Sequence, residues 1–189
     1  MNAKDKKEYA DLTYDRVSSW INNCDSKASI LLALVGVILS IAFTSDYILG
    51  GIGEQVKQVI AFLKCKETIC ILGSLVLLII LGFSIGFLIS SIRKLLLVLY
   101  ARLDDSSDKD NPSVSYYRSI AAKSFDEYKT LVGEIGDEAF IEDKLHQVYD
   151  CSKICTRKFL LYNEGIKHMK RGLVLFAVYM LLFIIKSSL

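Results

Sequence analysis

Five aromatic side chains and five cations hold most of the chemical potential of this sequence. Trp20, Tyr116, Tyr117, Tyr128 and Tyr149 offer flat faces, and Arg93, Arg118, Lys153, Arg157 and Lys158 offer positive charge. Aromatic faces stack on bases and cations pair with phosphate, so the mixture suits a nucleotide. Tyrosines also serve as core or rim in helical bundles, and residue types alone leave both roles open. No catalytic constellation accompanies them. His146 and His168 stand about six helical turns apart, too far to share a metal or a substrate. No G-x-S-x-G, P-loop, H-E-x-x-H or dinucleotide fingerprint is present. Asp126, Glu127, Asp137, Glu138, Glu142 and Asp143 gather at helix starts, where the helix dipole accounts for them. The chain therefore reads as a non-enzyme without a cofactor.

The cysteines argue the same way. Cys151 and Cys155 lie one helical turn apart, but a zinc site wants four converging ligands, so no metal is expected. A bond between Cys65 and Cys70 is conceivable, yet helical spacing would point them to different faces, which favours free thiols.

The elements that must position these residues are set by three runs without a charge: 28–45, 68–92 and 172–185. A helix needs about 20 apolar residues to cross the hydrocarbon core. The first two runs meet this, while the third, at 1.5 Å per residue, reaches only about 21 Å. Recruiting Met169 and letting Lys170, Arg171 and Lys186 snorkel would extend it, with some thinning of the bilayer. The single proline, Pro112, argues against a large β domain. A formal charge of +2 lacks the basic face that nucleic acid would demand. The first run is too long for a signal h-region and lacks a small-residue cleavage site after it.

Lys and Arg number five in 1–27, three in 46–67 and fourteen in 93–171. The positive-inside tendency places the N-terminus and 93–171 in the cytoplasm and 46–67 outside. Leu12, Val17, Trp20, Ile21 and Cys24 lead into the first run without a breaker, so one helix should pass from cytoplasm into membrane. Asp46 and the glycines Gly50, Gly51 and Gly53 should end it, and Val56, Val59, Ile60 and Leu63 then suggest an interfacial helix. The stretch 104–112 is the clearest loop. Ser124 and Glu127 have capping-box spacing, and Gly133 and Gly136 should close that helix. Ile141, Leu145, Val148, Ser152, Cys155, Phe159, Tyr162, Ile166 and Met169 then form a seam in steps of four and three that runs into the third span.

Small residues repeat every four positions at Gly36, Ser40 and Thr44 and at Gly82, Gly86 and Ser90. Such stripes allow close helix packing within or between subunits, and self-association into a homo-oligomer is expected.

Several stretches together resemble one known family. Arg16-Val17-Ser18-Ser19-Trp20-Ile21 followed by Cys24-Asp25-Ser26-Lys27-Ala28 is similar to the opening of the Pycsar effector transmembrane family. Tyr116-Tyr117-Arg118-Ser119-Ile120-Ala121 with Ser124-Phe125-Asp126-Glu127-Tyr128 resembles its aromatic stretch. Asp143-Lys144-Leu145-His146-Gln147-Val148-Tyr149 with Lys158-Phe159 resembles its later helix. The matches keep the family's order and cover most of 16–170. Departures are Cys24 in place of alanine, Lys94-Leu95 where relatives often show proline, and the acidic loop at 104–110.

The resemblance implies an antiphage effector, functionally linked to a pyrimidine nucleotide cyclase, that senses cyclic UMP or cyclic CMP and disrupts the bacterial inner membrane. Growth arrest or death of the infected cell would follow. Arg118, Lys153 and Arg157 are then the candidates for phosphate, with Tyr116 or Tyr117 for base stacking. Asp25 and Lys27 would stand at the membrane edge, as a coupling salt bridge or as simple interfacial anchors. The expected fold is all-α, with three transmembrane helices extending into a cytoplasmic helical bundle. Its divisions are a cytoplasmic N-terminal helix at 1–27, transmembrane helices at 28–45, 68–92 and 172–186, an external loop at 46–67 and a sensor region at 93–171. Gly36, Ser40, Gly82 and Gly86 are the expected helix-packing positions. The rival reading is a scaffolding membrane protein that recruits a partner through its cytoplasmic helices and makes no pore.

Overall fold

The computed structural model describes residues 2–64, 69–100 and 113–188. Among them every regular element is helical: α1 Ala3–Thr44, α2 Asp46–Lys64, α3 Ile69–Leu99, α4 Tyr117–Ala121, α5 Phe125–Glu134 and α6 Asp137–Ser188. Three of these, α1, α3 and α6, are long and apolar enough to cross a membrane. The expected all-α class and the three span-capable helices are therefore present. The loop at 104–112 and Cys65 lie outside the described residues.

The chain divides into two compact units, 1–26 with 100–160 and 27–99 with 161–189. In sequence, α1 and α6 each pass from one unit to the other without a break, as the absence of breakers implied.

In the first unit, α1 and α6 run parallel. Asp11 pairs with Lys144 and Asp25 with Lys158, so a step of fourteen on one helix matches fourteen on the other. Two heptads separate the pairs, and Ala10, Val17 and Cys24 are buried at successive seven-residue steps between them. Ile141 and Cys155 are buried on α6, as the seam requires, but Leu145 is exposed. Its expected place is taken by the stripe one residue earlier, where Lys158 is buried. The reason is electrostatic: carboxylates on α1 call lysines, not leucines, to the interface.

The connection before α4 is fastened to α5 and α6. Ser113 Oγ accepts from the backbone N–H of Tyr116 at 3.0 Å and from Gln147 Nε2 at 3.2 Å. The Tyr128 hydroxyl donates to the Val114 carbonyl at 3.3 Å. The capping box of α5 is formed in both directions, with Ser124 Oγ accepting from Glu127 N–H and the Glu127 carboxylate accepting from Ser124 N–H. These hydrogen bonds hold the Glu127 carboxyl below its usual range.

In the second unit, α3 and α6 run antiparallel at close range. Ser91 Oγ donates to the Gly165 carbonyl at 2.8 Å and Ser84 Oγ to the Gly172 carbonyl at 2.9 Å. Leu95 and Leu88 fill the space left by the missing side chains of Gly165 and Gly172. A core of Leu77, Leu81, Tyr179 and Phe183 follows, with Ile52 of α2 packed against it. On α1, Ala28, Val35 and Ala42 are buried at the same spacing of seven.

The break between α1 and α2 falls at Ser45, earlier than the glycines. Ser45 Oγ accepts from Ile48 N–H, the geometry of a helix start, and Gly50, Gly51 and Gly53 lie inside α2. Gly51 serves contact instead of breakage: a Cβ there would collide with the Phe183 ring.

Candidate functional site

The residues singled out for a ligand fall in the first unit. Tyr116 precedes α4 and Tyr117 and Arg118 begin it, so fastening Ser113 and Val114 fixes their position. The rings of Tyr116 and Tyr117 meet with centroids 4.9 Å apart and planes tilted by 59°. Tyr117 and Arg118 are exposed. Lys153 and Arg157 stand one turn apart on α6, both exposed. Lys153 lies over the Tyr149 ring, 4.1 Å from its centroid, and 3.8 Å from Asp150. The Tyr116–Tyr117 ring pair thus adjoins Arg118 in sequence at the start of α4, and Lys153 sits over Tyr149 on α6. Each presents a flat face and a positive charge.

Asp25 engages α6. Both of its carboxylate oxygens accept from Lys158 Nζ at 2.7 Å, with the lysine side chain 9% exposed. Lys27 is exposed. Sequence reasoning counted Lys158 only among possible phosphate partners and missed this pairing. The signal was available in retrospect, because Asp11 and Asp25, and Lys144 and Lys158, are spaced alike.

Cys24, Cys151 and Cys155 form no disulfide, and no metal-ligating cluster occurs among the described residues. Burial, chiefly, and then Asp150 and Cys155 push the Cys151 thiol up, and burial does the same to Cys155. Both should therefore stay protonated at neutral pH. Iodoacetamide at pH 7.5, followed by site-resolved mass spectrometry, should label them much more slowly in folded than in denatured protein; equal rates would contradict this placement.

The small-residue stripes behave differently from one another. A Cβ at Gly36, Gly82 or Gly86 would meet nothing within 4 Å, and Gly36 and Ser40 face outward. Gly82 and Gly86 line an open apolar groove of about 480 Å³ with Ile79, Phe83, Phe87, Ser90 and His168. Close packing inside the chain uses Gly165 and Gly172 instead. Sequence reasoning missed both because neither belongs to a four-residue repeat.

Comparison with known proteins points one way. The Pycsar effector protein domain matches residues 9–185. The chain is similar to Pycsar effector protein GmPycTM of Gulbenkiania mobilis, with 32% identity over 176 residues that cover 91% of this chain and 90% of that protein. No solved structure matches.

Proposed function

Given that the chain belongs to the Pycsar effector protein family, and is thereby an antiphage defence effector with three helices fit to span a membrane, we propose that a cyclic pyrimidine nucleotide activates it to break membrane integrity. The observation that carries this reading is the unbroken course of α6. One helix of 52 residues bears Lys153 and Arg157 in its first half and an apolar span near its end. A ligand that shifts packing around the first part of such a rod has a covalent route to the second. Conformational change requires only that the ligand bind one arrangement better than another.

In this reading the polar unit is the cytoplasmic input, with Arg118, Lys153 and Arg157 on the phosphate and Tyr116 or Tyr117 on the pyrimidine. The N-terminus is cytoplasmic, 46–67 faces outward, and the spans 28–45, 68–92 and 172–186 lie in the inner membrane. Copies associate through the outward small-residue faces at Gly36–Ser40 and Gly82–Gly86, which keep room for a neighbouring helix. Infection is coupled to the effector through a pyrimidine nucleotide cyclase.

A thermal-shift screen of purified protein against cyclic UMP, cyclic CMP, cyclic purine mononucleotides and cyclic dinucleotides tests the ligand class. Binding to the folded state alone raises the transition temperature with ligand concentration. A rise is expected with one cyclic pyrimidine nucleotide, lost in Arg118→Ala and in the Lys153→Ala/Arg157→Ala pair while the ligand-free transition stays in place. A response confined to a cyclic dinucleotide, or an undiminished one in these variants, would contradict the assignment.

A further inference from the structure

The second unit contains a buried polar cluster that the activation reading does not use. Gln55 on α2 is 3% exposed, and Ser74 on α3 and Tyr179 on α6 are fully buried. The Gln55 side chain lies near the Tyr179 hydroxyl. Even so, both Gln55 amide atoms and that hydroxyl are without a hydrogen-bond partner among the described residues. One turn further along α2, Gln58 Oε1 accepts from Ser74 Oγ at 2.6 Å and from Lys186 Nζ at 3.2 Å. Lys186 also donates to Ser74 Oγ. It thus turns into the helix cluster, where the sequence alone suggested snorkelling outward.

The helix that supplies the glutamines buries a polar side chain among apolar ones. Its exposed side mixes Leu49, Val56 and Ile60 with Asp46, Glu54 and Lys57, while the amide of Gln55 is buried on the side that packs on α3. A buried amide without partners is costly unless water or an ion completes its hydrogen bonds. An ionisable group among the spans is costly and marks a polar pathway when it faces the interior. The cluster offers a positive charge on Lys186 and donors on Gln55 and Tyr179, with the Ser74 hydroxyl donated to Gln58, while the α2 carboxylates Asp46 and Glu54 are exposed.

The geometry points to a hydrated site for a small inorganic anion, formed by Gln55, Gln58, Ser74, Tyr179 and Lys186, through which the activated protein passes chloride in preference to potassium. Water satisfies the orphaned Gln55 and Tyr179 atoms, as buried polar groups require. Lys186 replaces part of the hydration an anion gives up on entry. This site rests on the reading that activation breaches the membrane and adds which ions cross.

The test is the reversal potential of wild-type protein in planar bilayers under a potassium chloride gradient, with cyclic UMP and cyclic CMP each added in turn. Wild type should reverse on the chloride side, Lys186→Arg should keep that preference, and Lys186→Gln should weaken it. Lys186→Glu should change the chloride-to-potassium permeability ratio by about tenfold or more, the scale on which fixed charge alters local ion concentration. Variants are compared only where their size-exclusion profile in detergent equals that of wild type. Nucleotide-dependent current with the same reversal potential in wild type, Lys186→Arg and Lys186→Gln would overturn the site and leave the activation reading standing. No current with either nucleotide would overturn both.

Discussion

Asp25→Ala is expected to destabilise the first unit by about 3 kcal/mol, because it strands a buried lysine without its counter-ion. Lys158 is 9% exposed at the side chain, and both oxygens of Asp25 accept from its ammonium. Desolvating a charge is tolerable only while a partner supplies hydrogen bonds, so deleting one member costs more than the pair contributes. Asp25 is 32% exposed, which holds the expectation to the low end for buried pairs. The double replacement Asp25→Leu/Lys158→Met removes both charges and keeps volume, and should recover most of the loss. Thermal unfolding of the four forms in one detergent measures the cycle. A double variant as unstable as Asp25→Ala, or an Asp25→Ala form matching wild type, would contradict the account of this interface.

The second large effect concerns glycine. Gly172→Ala should cost about 1–3 kcal/mol, the usual penalty for overpacking a well-filled contact. A Cβ there would lie 2.8 Å from Leu88 Cγ and 3.2 Å from its backbone nitrogen, so side-chain rotation alone cannot relieve the clash. It would also press apart the backbones that the Ser84–Gly172 hydrogen bond holds together. Gly165→Ala meets side-chain atoms alone, Leu95 Cγ and Cδ2 at 3.0 Å and Lys94 Cβ at 3.6 Å, and should cost less. Gly82→Ala and Gly86→Ala add a methyl group into open space and remove helical glycine, so folding should be unaffected or slightly improved, by up to about 1 kcal/mol. The order Gly172 above Gly165 above Gly82, read by thermal unfolding, distinguishes packing within the chain from packing between copies. If copies pack through Gly82 and Gly86, Gly82→Leu should reduce oligomer size with little change in the monomer's transition.

Much of the architecture was readable because apolar runs and breakers are strong signals. The absence of proline or glycine between Leu12 and the first span foretold α1, and the four-and-three pattern before Gly172 foretold α6. The α5 cap followed from Ser124 and Glu127 alone. What hydrophobicity alone leaves unread on α6 is the polar and small-residue part of its contacts. On α6 Ile141, Cys155 and Met169 of the apolar seam are buried, and beside them a stripe of Lys144, Lys158, Gly165, Gly172 and Tyr179 makes the polar and closest contacts, while Leu145 is exposed. The partners on α3, Ser84 and Ser91, carry the same spacing of seven as Gly172 and Gly165. Periodicity was present but written in serine, glycine and lysine. At Gly51 a residue that sequence reads as a breaker is needed for the approach of Phe183, while Ser45 starts the new helix. The ligand candidates were legible only as residue types, since exposed arginine and tyrosine leave no pattern that packing enforces.

Dye release from liposomes is the measurement closest to the central proposal. Purified protein is reconstituted into vesicles loaded with a self-quenching dye, with its polar unit accessible, and cyclic UMP or cyclic CMP is added outside. The account predicts release that depends on one of these nucleotides and is lost in the Lys153→Ala/Arg157→Ala variant. Equal release with and without any cyclic nucleotide, or none under either, would contradict it.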